Sequence, residues 1–274
     1  MRIVLGVEYD GSGFIGWQSQ ARTQDKFPAH ALGVQTVIEA ALSSVANHPV
    51  SVMAAGRTDA GVHATQQVLH FDTAAQRSER GWMLGANTNL PDSVSVLWAR
   101  EVADEFHARY TALARSYRYV ILNRLQRPSL VRERVCWVRE PLDAERMHHA
   151  AQALVGEHDF SSYRAAECQS STPMRNLHRI TVTRVAEYVV VDVTANAFLH
   201  HMVRNIVGVL IAVGRGQAEL NWPAQLLTVC DRKSGGVTAP AGGLYLVGVQ
   251  YPDEWHLPTA ARHSAWPPGP MTGA

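Results

Sequence analysis

Cysteine is scarce in this chain of 274 residues, and the three present, Cys136, Cys168 and Cys230, lie far apart. An odd number without a CxxC pair excludes a zinc ribbon and argues against a disulfide framework, which fits a reducing cytoplasm. Long apolar runs are also missing. The most apolar stretch, residues 205 to 214, is too short to span a bilayer and is bounded by Arg204 and Arg215, so no membrane partner is expected. The first ten residues lack the apolar block of a signal peptide and alternate like a strand. Net charge is close to absent, at +1, so only local clustering of charge can inform on nucleic acid. No phosphate-binding glycine loop or dinucleotide fingerprint occurs. The adjacent His200 and His201 lack a third ligand at metal spacing, and His63 beside Gly61 adds little, so neither cofactor nor metal is expected.

What is present is enough apolar material, 46% of residues, to fill one large core or two modest ones. Ile3, Leu5, Val7 and Tyr9 alternate as a strand, and Val34, Val37, Ile38, Ala41, Leu42 and Val45 recur as one face of a helix. Short strands are predicted at 52–55, 67–72 and 94–99. A similar mixture then begins again: strands at 117–122 and 135–138, and a helix that Asp143 caps and Gly156 ends. Strands at 180–185 and 188–195 follow, then a helix from about Ala197 to Val213 and a last strand at 244–250. This recurrence predicts an α+β protein of two domains, 1–105 and 106–251, each an antiparallel sheet with helices packed on one face. Residues 252–274 hold five prolines and no apolar period, so a disordered tail is expected there. The polar segment 19–31 reads as a loop, either a specificity element or an inert insertion.

The run Gly56-Arg57-Thr58-Asp59-Ala60-Gly61-Val62-His63 is the densest chemical signal. Its glycines permit a turn that another backbone or a ligand approaches closely, at the end of a short apolar strand. An arginine beside a carboxylate keeps it ionised, which suits a nucleophile or an electrostatic stabiliser better than a general acid. A plain turn with a local ion pair between Arg57 and Asp59 is the competing reading.

Two further groupings stand out. Between Arg109 and Arg139 lie eight arginines against Glu133 alone, interleaved with Tyr110, Tyr117, Tyr119 and Trp137. Arginine with aromatics is the combination that meets phosphates and stacks bases, although a solvated basic face has the same composition. Near residue 196 an apolar helix carries His200, His201, Arg204 and Asn205 in its first turns. Arg204 is a candidate partner for Asp59, because a guanidinium gives a carboxylate two parallel hydrogen bonds; the alternative is that it ties down a loop.

Tyr9-Asp10-Gly11-Ser12, Gly16-Trp17-Gln18, Gly56 through Ala64, Phe106-His107-Ala108-Arg109, Tyr117-Arg118-Tyr119 and Phe198 through Asn205 occur in this order. In that combination the chain resembles the tRNA pseudouridine synthase A family from about Ile3 to Pro252. The resemblance implies two RNA-binding-fold-like domains with the active-site cleft between them, a cytoplasmic homodimer, and isomerisation of uridine to pseudouridine in the anticodon stem-loop of tRNA, at tRNA positions 38 to 40. It implies no cofactor and no metal. By position, Asp59 matches the family's catalytic aspartate, Arg204 the arginine paired with it, Arg57 the arginine beside it, Tyr117 a substrate-contacting tyrosine, and Leu244 an apolar residue lining the pocket. Two rival readings remain at this point: a catalytically silent RNA-binding module, which has no need of Asp59, and an aspartate-nucleophile hydrolase, which would want a second carboxyl close by.

Overall fold

The computed structural model describes residues 1–18 and 32–258. The loop expected at 19–31 and the tail beyond residue 258 lie outside the described residues. Among the described residues the chain divides into two compact units, one of Met1–Leu113 with residues 246–258, the other of Ala114–Tyr245.

In the first unit β1 (Arg2–Tyr9) is buried along nearly its whole length, because it is a central strand. It pairs antiparallel with β3 (His63–Asp72) on one side and β4 (Val94–Val102) on the other, so Leu5 lies opposite both Leu69 and Ala99. The two-residue β2 (Met53–Ala54) pairs with β3. Helix α1 (Val34–Ala46) buries Val34, Ile38, Ala41 and Leu42, the stripe its spacing predicts, and stops where Asn47 turns left-handed at φ 59°. Helix α2 (Glu79–Asn89) is absent from the sequence reading. Only Trp82 and Ala86 of it are buried, too few to make a visible period, although Ser78 caps it by accepting a hydrogen bond from the Gly81 amide. Trp82 meets Phe71 of β3 edge-on at 5.1 Å.

The second unit is built on β5 (Ala114–Asn123), β9 (Tyr188–Ala195), β8 (Met174–Val185) and β7 (Gly156–Asp159), hydrogen-bonded in that order and antiparallel throughout. The three-residue β6 (Cys136–Val138) departs from the expected pattern by pairing parallel with β5. Helix α3 (Ala144–Ala151) starts at Asp143, whose carboxylate accepts from the Arg146 amide at 2.9 Å. Helix α4 (Met202–Gly214) is buried over most of its surface, and α5 (Trp222–Val229) packs beside it. The last strand, β10 (Leu244–Gln250), begins in the second unit and continues in the first.

Two boundary expectations are corrected. The division falls after Leu113 rather than near 105, because Phe106 and Ala108 are fully buried in the first unit, where the Tyr251 hydroxyl donates to the Ala108 carbonyl at 2.6 Å. Residues 252–258 also pack instead of forming a disordered tail. Asp253–Trp255 makes one turn of 3-10 helix, and the Trp255 ring lies 5.2 Å from Phe106. The aromatic anchor supplies the apolar burial that the lack of an apolar period had argued against.

Candidate active site

Asp59 sits in the loop joining β2 to β3, and that loop is fixed from several directions. The buried Thr58 shares a 2.8 Å hydrogen bond with the Tyr9 hydroxyl, and its carbonyl accepts from the Trp17 amide at 2.9 Å. Burial pushes the Tyr9 hydroxyl up to about 12, so it remains a neutral hydrogen-bonding group at any working pH. The Val62 amide closes a tight turn on the Asp59 carbonyl at 3.1 Å, with Gly61 at φ 77°. Gln67 of β3 donates to the Gly56 carbonyl at 2.6 Å.

The segment after β1 completes the clamp and explains why the Asp10-Gly11 and Gly16-Trp17 motifs accompany the aspartate motif. The Gly11 amide donates to His63 Nδ1 at 3.0 Å, and that nitrogen also lies 3.1 Å from Asp10. A Cβ on Gly11 would fall 2.0 Å from the Val62 carbonyl oxygen. Gly16, at φ 106°, approaches Thr58 so closely that a Cβ would lie 2.9 Å from its carbonyl oxygen. Both glycines are therefore required by close approach to the loop that carries Asp59. Asp59 itself is half-buried and Arg57 exposed, and no ion pair between them is found among the described residues. The plain-turn alternative loses its local ion pair.

In the second unit Tyr117 projects from β5 opposite Val193, with 9% of its surface exposed, and the Phe198 ring closes on it edge-on at 5.1 Å. The helix expected from Ala197 begins only at Met202. His201 adopts a left-handed conformation at φ 60°, so Phe198, His200 and His201 precede the helix in a turn rather than lining its first face. The Ala165 amide and Cys168 Sγ hold the two backbone groups of His200, and the rings of His200 and His201 lie 4.0 Å apart.

Arg204 is in the first turn of α4 and is half-buried. Its Nε donates to the Ala239 carbonyl at 2.8 Å, while the Ala239 amide donates to the Arg204 carbonyl at 3.1 Å. The Tyr119 hydroxyl holds the next residue, Pro240, at 2.7 Å. Asn205, which the sequence reading placed in the polar stripe without giving it a partner, is the hub beside it. It is 2% exposed, donates to the Tyr163 carbonyl at 2.8 Å, and accepts from Thr238 at 2.6 Å and Arg232 at 3.0 Å. An amide on an otherwise apolar helix was the available signal. Leu244 is buried where β10 starts, directly after the Ala241–Gly243 turn.

The arginine-rich segment resolves into members of different kinds. Arg118 forms a two-point pair with Asp192, at 2.7 and 3.0 Å, and Arg124 pairs with Glu187 at 3.1 Å. These acids are distant in sequence, so the excess of arginine over Glu133 overstates the free positive charge. Arg127 and Arg139 are exposed and have no ion pair among the described residues. Of the aromatics, Tyr117 and Tyr119 are buried, Trp137 is 40% exposed with its indole N–H on the Arg124 carbonyl, and Tyr110 is 76% exposed.

The model of a family described as tRNA pseudouridine synthase matches residues 6–111 and 150–252. The chain belongs to the tRNA pseudouridine synthase family. Similar proteins include tRNA pseudouridine synthase A of Shewanella sp. (strain MR-4), 56% identical over 261 residues, 95% of this chain and 97% of that protein. The protein of the same name from Shewanella baltica (strain OS155 / ATCC BAA-1091) is 55% identical over the same shares. Arg57 and Asp59 fall in the first stretch that matches the family, Arg204 and Leu244 in the second, and Tyr117 between the two. Within the family match, the Tyr9, Gly11, Gly16, Thr58 and His63 contacts form the frame around the aspartate. They are residues that sequence reasoning placed in motifs without assigning them a task.

Proposed function

We propose that the chain isomerises uridine to pseudouridine in the anticodon stem-loop of tRNA, at positions 38 to 40, with Asp59 beginning the reaction on the target nucleotide. The observation that carries this reading is the Asp59 loop: a half-buried carboxylate on a turn whose neighbours are fixed by Tyr9, Trp17, Gly11 and His63. Such restraint is what a reacting group needs, since a displacement of about 1 Å can cost on the order of a hundredfold in rate.

A uridine within a stem is out of reach of a carboxylate and must leave the stack, at a cost of a few kcal/mol recovered through phosphate and stacking contacts. Tyr117 and Leu244 then bound the extruded base, and Arg57, exposed beside Asp59, meets the phosphate backbone or fills the vacated stack. Arg204 orients the Asp59 carboxylate. The bond from C1′ to N1 breaks, the uracil turns, and a bond from C1′ to C5 forms. The C5 hydrogen leaves as a proton and N1 gains one, so mass is unchanged and no oxidant or reductant is needed. The same reading carries a homodimer acting in the cytoplasm.

Transcribed tRNA carrying tritium at C5 of uridine tests the chemistry. Tritium should pass to water in step with substrate consumption, without free uracil. Release of uracil would make the chain a hydrolase, and binding with neither release would make it an RNA-binding module.

A further inference from the structure

The turn from Phe106 to Thr111 hydrogen-bonds every one of its backbone amides. Phe106 N donates to the Ala103 carbonyl at 3.1 Å, His107 N to Thr111 Oγ1 at 2.9 Å, and Ala108 N to His70 Nδ1 at 3.1 Å. Arg109 N and Tyr110 N both donate to His107 Nδ1, at 3.1 and 3.2 Å, and Thr111 N donates to the His107 carbonyl at 2.9 Å. Phe106 and Ala108 are fully buried, and the Arg2 guanidinium donates to the Phe106 carbonyl at 2.7 Å. The turn is thus anchored by its apolar residues and saturated in its amides, yet it presents a tyrosine that is 76% exposed. Folding gains little from a ring so placed.

The ring is nevertheless positioned. His107 stacks on it at 4.3 Å with the planes 30° apart, His70 meets His107 at 4.7 Å, and the Arg109 guanidinium lies 5.6 Å from the Tyr110 centroid. His107 Nδ1 accepts two amide hydrogens, so its proton is on Nε2 and the imidazole is neutral. Burial and the Arg2 charge lower its proton affinity in the same direction. The result is a short aromatic stack with a flat neutral interior, an exposed outer ring and a cation over that ring, 5.6 Å from its centre.

We propose that Tyr110, braced by His107 and flanked by Arg109, is a stacking platform for an unpaired base of the tRNA, with Arg109 meeting the adjoining phosphate. Base stacking on an aromatic ring tolerates any base, and a ring fixed in advance loses little entropy when it binds. The cation distinguishes this from an apolar surface for another protein. A protein contact would bury the ring among apolar groups, whereas a polyanion brings a π-face and a negative charge together.

Equilibrium binding of unmodified tRNA to Tyr110→Ala and Tyr110→Phe tests the proposal. Alanine should weaken binding about tenfold, and phenylalanine, which keeps the ring, should bind within about twofold of the wild-type protein. The dependence of affinity on salt should be unchanged in both, since no phosphate contact is removed. Irradiation of the wild-type protein with 5-bromouridine-substituted tRNA should cross-link the peptide containing Tyr110. Unchanged affinity of a folded Tyr110→Ala protein, or absence of that peptide from the cross-links, would overturn the proposal. So would a loss of affinity accompanied by an altered sedimentation coefficient of the free protein, which would assign the ring to a protein contact.

Discussion

The Tyr9 hydroxyl shows how far from Asp59 the control of its position extends. It is buried, neutral and bonded to Thr58, whose neighbour is the aspartate. Tyr9→Phe should cost about 1 kcal/mol of stability, and it should lower the single-turnover rate while leaving tRNA affinity unchanged. Equal losses in rate and affinity would make Tyr9 a general structural residue. His70 supplies a pH signature. It is 6% exposed, and burial, with the nearby His107 and Arg2, lowers its pKa to about 4. The unfolded chain therefore binds the proton more readily. The stabilisation is complete above the ordinary pKa of about 6.5 and is lost as pH falls through about 4, a loss on the order of 3 kcal/mol. His70→Asn, which retains an acceptor for the Ala108 amide, should flatten the melting temperature between pH 7 and 4; an undiminished pH slope would remove His70 as the cause. At this scale the sequence was informative on the turn that carries Asp59, where Gly61 adopts the φ of 77° that a tight turn needs. It placed Tyr9 and Asn205 in motifs without a task, because a tyrosine in a strand and an amide in a helix gain meaning only from the partners that the fold brings.

Elements were legible in proportion to how much they bury. α1 and β9 show their periods in the residues themselves. α2 buries two side chains, β7 is four polar or small residues, and α5 spans only eight residues, so none presented a period. The start of α4 was misplaced for a different reason: the apolar pattern runs on through Phe198 and Leu199, but the left-handed His201 breaks the backbone. One residue of α4 tests the element as a unit. A Cβ on Gly208 would fall 1.8 Å from the Val237 carbonyl oxygen, on the segment that leads to Ala239 and holds Arg204. Gly208→Ala should push that segment away, costing about 3 kcal/mol or more in thermal unfolding and slowing the reaction. A variant with wild-type stability would show that the helix and the segment are not tightly apposed.

For the whole molecule, the arginine-rich segment is where composition and structure part most clearly. Arg118 and Arg124 are paired with distant acids, so their charge is already compensated, whereas Arg127 and Arg139 are exposed. Replacing Arg127 and Arg139 by Gln should flatten the slope of log affinity for tRNA against log salt by up to about 2, whereas replacing Arg118 and Arg124 should change it little. Equal flattening in both pairs would mean that the ion pairs open on binding. The most direct test of the account concerns Asp59. Unmodified tRNA is incubated with the wild-type protein and with Asp59→Asn, and pseudouridine is mapped by position after equal binding has been verified. The expected result is pseudouridine at positions 38 to 40 with the wild-type protein and none with Asp59→Asn; pseudouridine formed by the variant at more than a trace would contradict the role assigned to the carboxylate.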